Sequence, residues 1–145
     1  AAVRKKRVLV LDIGDSRAYW FCGGEIRQIT KDQSYVQHLV DLGEITQEEA
    51  KHHPQKNIIM QAVGVSTAVS PDVYSLDCPD GTLLLCSDGL SNMVEDDEIA
   101  KVIGDTAALP QKLEKLIALA NEAGGRDNIS AVLLQHTNGS AGDDK

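Results

Sequence analysis

Long apolar runs, excess positive charge and paired cysteines are all missing from this sequence, and each absence removes a class of function. No apolar run approaches the ~20 residues of a membrane span, and these residues carry no signal-peptide pattern, although a sequence that starts at Ala1 need not include the natural N-terminus. Lys and Arg number 14 against 22 Asp and Glu, a net charge of −8. That balance argues against gripping a phosphate backbone by simple electrostatics, so neither nucleic acid nor membrane is an expected partner. It leaves phosphorylated substrates open, because bound cations invert a local field. The three cysteines (Cys22, Cys78 and Cys86) are odd in number and lack paired metal spacing. They fit reduced structural thiols and a cytoplasmic location. There is no G-x-G-x-x-G, no P-loop and no calcium loop. The stretch 14–18, GDSRA, misses the G-x-S-x-G nucleophile elbow by one residue, and no histidine stands where it would serve such a nucleophile. At 145 residues the chain is one ordinary domain, able to bury roughly 70% of its unfolded surface.

What is present centres on residues 83–93, LLLCSDGLSNM. A short apolar run stopped abruptly by Ser87, Asp88 and Gly89 reads as a buried strand ending in a tight turn. The turn leaves the Asp88 carboxylate at the sheet edge. Taken alone, Asp88 starts a turn or caps the following helix as readily as it binds a metal, since Asp-Gly is ordinary turn chemistry. Two further stretches bear on that choice. Residues 9–17, LVLDIGDSR, put Asp15 just after an apolar run, and residues 124–134, GGRDNISAVLL, put Asp127 just before one. If the last strand runs antiparallel to the others, the three carboxylates meet at one edge of one sheet. Converging carboxylates repel and need cations or shared protons. Oxygen ligands without histidine or cysteine favour Mg²⁺ or Mn²⁺ over zinc.

The remaining pattern is α+β. Strands are expected at 7–13, 18–22, 25–29, 57–63, 73–76, 83–86 and 129–135, with residues 1–6 a basic, frayed lead-in. Gly23-Gly24 marks a hairpin. Residues 33–42 carry Val36, Leu39 and Val40 on one helical face, and Thr46-x-x-Glu49 is a capping box opening a second short helix that stops before Pro54. These two helices form either a plain connection between strands or a small subdomain over about 30–64. Adjacent His52 and His53 do not face the same way on a helix, so a shared ligand role is not expected. Helices follow at 95–103 and 109–123, and residues 137–145, rich in Gly, Ser and Asp, read as a disordered tail.

Read in order, GDSRAY, TKDQS, LVDLGEITQEEAKHHPQKNIIMQAVG, the CSDGL run followed by SNMVEDDEI, and GGRDNIS resemble the C-terminal part of a bacterial metal-dependent protein phosphatase of the PPM family, also called type 2C. The resemblance runs from residue 8 to residue 134. It implies part of an α-β-β-α sandwich over 1–136, with antiparallel sheets flanked by helices. It implies hydrolysis of phosphoserine and phosphothreonine in proteins by a metal-activated water, with two or three Mn²⁺ or Mg²⁺ ions in the complete domain. Asp88 and Asp127 fall at the core metal centre, and Asp15, with Asp88, at a further metal site. No catalytic residue beyond these ligands is implied. The segment 30–64 becomes a flap beside the metals, with Gln33, Ser34 and His53 on its substrate side. Expected partners are the phosphorylated targets of a cognate Ser/Thr kinase.

The chain also departs from the family pattern. A D-G-x-G-G motif, whose aspartate bridges two metals in the family, and an upstream phosphate-contacting arginine do not occur in these residues. Asp12 stands where the family usually has Asn or His, and Gln33 where bacterial members usually have His. The expectation is a phosphatase lacking its N-terminal strands and inactive by itself. The alternative is a non-catalytic regulatory or binding module derived from a phosphatase.

Overall fold

The computed structural model describes residues 1–4, 7–65, 67–77 and 80–137. The expected tail at 137–145 therefore lies outside the described residues apart from Thr137. Two antiparallel sheets form the frame. The first has strand order β1-β2-β5, built from Ala2–Arg4, Arg7–Asp12 and Asp72–Asp77. The second has order β4-β3-β6-β7, from Glu25–Gln28, Arg17–Cys22, Gly81–Cys86 and Ala131–His136. The basic lead-in is not frayed over Ala2–Arg4, which pairs with β2 (Ala2 opposite Leu9). A short extended segment next to an open strand edge satisfies its backbone by joining it.

Strand β3 shows how the layers arise. Successive side chains on a strand point to opposite faces. Tyr19 faces a core shared with Leu84, Leu90, Val94, Ile99, Val102, Ile103, Leu116 and Ala120. Those helical residues come from α3 (Asp88–Ser91), α4 (Asp96–Gly104) and α5 (Leu109–Glu122), with Val94 on the connection before α4. Its neighbour Trp20 faces the other way, into a smaller cluster with Val8, Val10, Ala18 and Leu83 between the two sheets. The order is thus helices, four-stranded sheet, three-stranded sheet. The pattern in β2 agrees: Val8 and Val10 are buried while Leu9 and Leu11 face outward.

The hairpin β3–β4 turns at Gly23 and Gly24, both at positive φ (61° and 88°), the geometry a two-residue hairpin turn requires. Between β4 and β5 lie α1 (Tyr35–Asp41) and α2 (Gln47–His52). Ser34 caps α1 by accepting from Gln37 N at 3.2 Å. Thr46 and Glu49 form the reciprocal capping box of α2: Glu49 N donates to Thr46 Oγ1 at 3.2 Å and Thr46 N to Glu49 Oε2 at 2.7 Å. The strand expected at 57–63 does not form. Its apolar residues Ile58, Ile59 and Met60 are exposed, and the segment contributes one isolated bridge, Ser34 to Ile59. Apolar content mimicked a strand there, but the segment bonds to the start of α1 instead: Tyr35 N donates to Ile58 O at 2.8 Å and Met60 N to Gln33 O at 2.7 Å. Among the described residues no helix is long and apolar enough to cross a membrane.

Candidate functional site

The antiparallel register settles where the motif aspartates sit. Arg17 pairs with Cys86, and Cys86 with Ala131, so these three residues form one row across β3, β6 and β7. Asp15 lies two residues ahead of the row, before β3 begins, Asp88 two residues past it, after β6 ends, and Asp127 four residues ahead of it, before β7 begins. All three segments therefore emerge at one end of the four-stranded sheet. One detail differs from expectation. The apolar strand that Asp15 follows, β2, belongs to the other sheet, so Asp15 sits on the turn joining the sheets and reaches the edge through the start of β3. Side-chain alternation marks a strand's face, but it does not say which sheet the strand joins.

Local chemistry fixes each segment. Ser87 N donates to Ser130 O at 3.0 Å, Ser87 Oγ donates to Asn128 O at 3.0 Å, and Ser130 N donates to Ser87 Oγ at 3.0 Å. The serine thereby ties the Asp88 turn to the Asp127-Asn128 turn. Gly89 is required because the Asn128 carbonyl lies where its Cβ would be. Asp88 is the first residue of α3, where the helix dipole favours a carboxylate. Its Oδ2 accepts from Asn92 Nδ2 at 3.3 Å. The capping reading of the sequence is thus realised in part, as a first-turn position, and does not compete with a metal role. Asp127 is exposed, and its Oδ1 accepts from Asn128 N at 2.7 Å.

Electrostatics show the edge is crowded. The Asp15 carboxyl is pushed up by burial first and then by the Asp88 charge. Asp12 is pushed up to about 6, by burial first and then by Asp32 and Asp72. Asp12 stands directly opposite Asp72 at the end of the β2–β5 ladder, the arrangement in which like charges destabilise a sheet. Its Oδ2 is buried with no hydrogen-bond partner among the described residues. One member of the group is neutralised. Arg17 donates to Asp32 through Nε and Nη2, at 2.9, 3.2 and 2.7 Å, a bidentate pair with both side chains largely buried. This inner group of Asp12, Asp32 and Asp72 was not singled out as a site from sequence. Only tertiary pairing brings positions so far apart in the chain together.

The residues expected on a flap have structural partners. Gln33 Oε1 accepts from Gly14 N at 3.1 Å, while its Nε2 donates to Asp72 Oδ2 at 2.9 Å and Ser70 O at 3.4 Å. Ser34 is buried as the α1 cap. His53 Nδ1 accepts from Gln55 N at 3.2 Å, and its ring lies 6.4 Å from that of Tyr35 at 59°. Lys51 pairs with Glu95 at 3.2 Å, tying α2 to the start of α4 across the surface.

No family model matches the chain. Among curated proteins, it is 40% identical over 136 residues to the serine/threonine phosphatase Stp of Listeria welshimeri, covering 93% of this chain and 54% of that protein. Among solved structures, it superimposes on the Streptococcus agalactiae serine/threonine phosphatase with a TM-score of 0.87 and 39% identity, covering 93% of this chain and 56% of the other. The chain belongs to the bacterial PPM-type serine/threonine phosphatase family. Another member, the catalytic domain of the phosphatase PstP, matches with a TM-score of 0.79 and 38% identity over 90% of this chain and 54% of its own, and was solved in complex with two manganese ions. The chain spans about half the length of the curated relatives it matches.

The residues present suit the divalent ions such phosphatases use. The donors are carboxylates, with the Asp88 charge helping to push the Asp15 carboxyl up and an unpaired buried oxygen at Asp12 among the described residues. Among the described residues, however, no three His, Cys, Asp or Glu side chains are arranged as a ligand group. Asp15 feels the Asp88 charge, and Asp127 lies at the same sheet end with its Oδ1 hydrogen-bonded to Asn128 N.

Proposed function

We propose that this chain supplies the Asp15, Asp88 and Asp127 side of a metal-dependent protein phosphatase acting on phosphoserine and phosphothreonine. The observation that carries the reading is the Arg17–Cys86–Ala131 row, beyond which all three aspartates emerge at one sheet end. Asp88 and Asp127 would hold a Mn²⁺ or Mg²⁺ ion, and Asp15 with Asp88 a further one. When bound, such ions supply a water of lowered pKa and neutralise phosphoryl oxygens. The chain's own residues hold the ligands in place. Ser87 locks the Asp88 and Asp127 turns together, Gly89 admits the Asn128 backbone, and Arg17 keeps Asp32 from adding free charge to the edge. Residues 30–64, with Gln33, Ser34 and His53, form the flap beside the site. Its substrates are phosphorylated proteins, targets of a cognate Ser/Thr kinase, in the cytoplasm.

A second reading, a non-catalytic module derived from a phosphatase, is favoured by the lack of a three-ligand group among the described residues and by the absence of a D-G-x-G-G bridging motif in the sequence. Sharing one water needs two ions held ~3.5–4 Å apart, which calls for a bridging ligand. These 145 residues alone should therefore show negligible turnover and at most weak manganese binding. The test is phosphopeptide hydrolysis with added manganese, by this chain and its Asp88→Asn variant. Each is assayed alone and mixed with the part of a relative that lies outside the matched region. Activity that appears only in the mixture and is lost in Asp88→Asn supports the phosphatase reading. No activity in any mixture favours the binding module, and robust turnover by the chain alone refutes the inactivity.

A further inference from the structure

We propose that Gln33 is a positioning residue for the acidic edge: a neutral, two-ended amide clamp that fixes the Gly14–Asp15 turn against Asp72. The inference deepens the metal reading above and rests on it for the role given to Asp15.

Gln33 is tied to three other segments. Its backbone N–H donates to Gly14 O at 2.7 Å while its side-chain oxygen accepts from Gly14 N at 3.1 Å, so one residue closes both backbone polar groups of Gly14. Its carbonyl accepts from Met60 N at 2.7 Å. Its amide nitrogen reaches the Asp72 carboxylate and the Ser70 carbonyl. The chemistry leaves no choice of orientation: the amide oxygen must face the Gly14 N–H, and the amide nitrogen must face the carboxylate. The preceding residue, Asp32, grips Arg17 at the far side of the same turn. Two consecutive residues thus hold the four-residue stretch from Gly14 to Arg17 at both ends, with Asp15 between them.

Neutrality matters at this position. Asp72 lies opposite Asp12 across the ladder, and the Asp12 charge also feels Asp32. A carboxylate in place of the amide would keep the size and the acceptor for Gly14 but set a like charge against Asp72. Gly14 cannot hold the turn by itself, because its φ of 106° is a conformation only glycine adopts freely, and that freedom has to be constrained from outside.

The decisive experiment is a polarity swap in the full chain. Gln33→Glu preserves volume, so a side chain that merely fills space would not respond to it. Gly14 amide exchange in Gln33→Glu is expected to accelerate about tenfold or more. Manganese binding, followed by electron paramagnetic resonance, should weaken about three- to tenfold. Asp72→Asn alone keeps an acceptor for the Gln33 amide and should stay within about twofold of the parent. In the double variant, Gln33→Glu with Asp72→Asn, the carboxylate introduced at position 33 accepts from the Gly14 N–H and from the amide introduced at position 72. Exchange should then return to within about threefold of the parent. Protection of the Leu84 amide serves as the control that the fold is intact. Unchanged Gly14 exchange in Gln33→Glu, or no recovery in the double variant, overturns the clamp. Manganese binding that ignores Asp15→Asn overturns the role given to Asp15, while Gly14 exchange still decides the clamp separately.

Discussion

The two faces of the four-stranded sheet are built from the same strands but finished differently. The face carrying Tyr19 and Leu84 is covered by α3, α4 and α5, and its core holds ten buried residues among those described. The face carrying Trp20 and Leu83 packs on β2 and holds five. Beyond that contact the covering by the described residues stops. Val132 and Leu134 on β7 are 57% and 41% exposed, and with Ala1, Leu83 and Leu85 they line an open apolar groove. The outer face of the three-stranded sheet is likewise bare at Leu11 and Val73. The lesson is one of reach. The helices that cover the first face follow β6 directly in sequence, so the covering is local. The second face depends on segments from elsewhere in the chain, and these cover only part of it. The acidic edge lies at the end of both faces and inherits order from the first and crowding from the second.

The largest expected effect separates the faces by stability. Leu84→Ala removes a fully buried side chain from the helix-covered core and should cost ~2–5 kcal/mol in urea denaturation. An equal loss from Val132→Ala would show the faces to be equivalent. Next comes Gly89→Ala, which puts a methyl group against the Asn128 carbonyl and forces the Asp127 turn away from Asp88. Overpacking there should cost ~1–3 kcal/mol and weaken manganese binding, and binding by the variant at parental affinity would show that the turn contact is dispensable.

Asp12→Asn acts in the opposite direction. The folded carboxyl titrates at about 6 against an ordinary value of 3.8, so between these the native state holds the extra proton. Metal-free stability should therefore fall as pH rises from about 4 through 6 and level off above. Asp12→Asn should flatten that fall and gain ~1 kcal/mol at pH 7, after allowing for screening of a half-buried group. A pH profile unchanged by the substitution would remove Asp12 as its source. The smallest effect is expected on the open groove: Val132→Thr should change stability by less than ~0.5 kcal/mol while lowering any concentration-dependent association seen by sedimentation. A marked loss of stability would mean that Val132 is packed in solution.

Motifs and periodicity carried much of this molecule. The strand–Asp-Gly–helix unit at 81–91, the Gly23-Gly24 hairpin, the Thr46–Glu49 capping box and the apolar face of α5 are short-range features, each determined by residues within a few positions of one another. The likeness of the aspartate motifs to a phosphatase family was legible for the same reason. Local pattern misled at 57–63, where apolar residues formed no strand, and at Ala2–Arg4, where a basic segment did. Ala2–Arg4 pairs with β2, whereas Ile58 and Met60 bond to Tyr35 and Gln33 at the start of α1.

By itself, the sequence determined the strands and helices whose periods and caps it encodes, and it placed an aspartate at each of three strand ends. Tertiary structure alone decided that Asp15 crosses between sheets, that Asp12 faces Asp72, that Arg17 neutralises Asp32, and that Gln33 joins Gly14 to Asp72. These are contacts between residues 15 to 60 positions apart. Propensity and periodicity act over one or two turns of chain, whereas the partner of a buried charge is chosen by register and sheet packing.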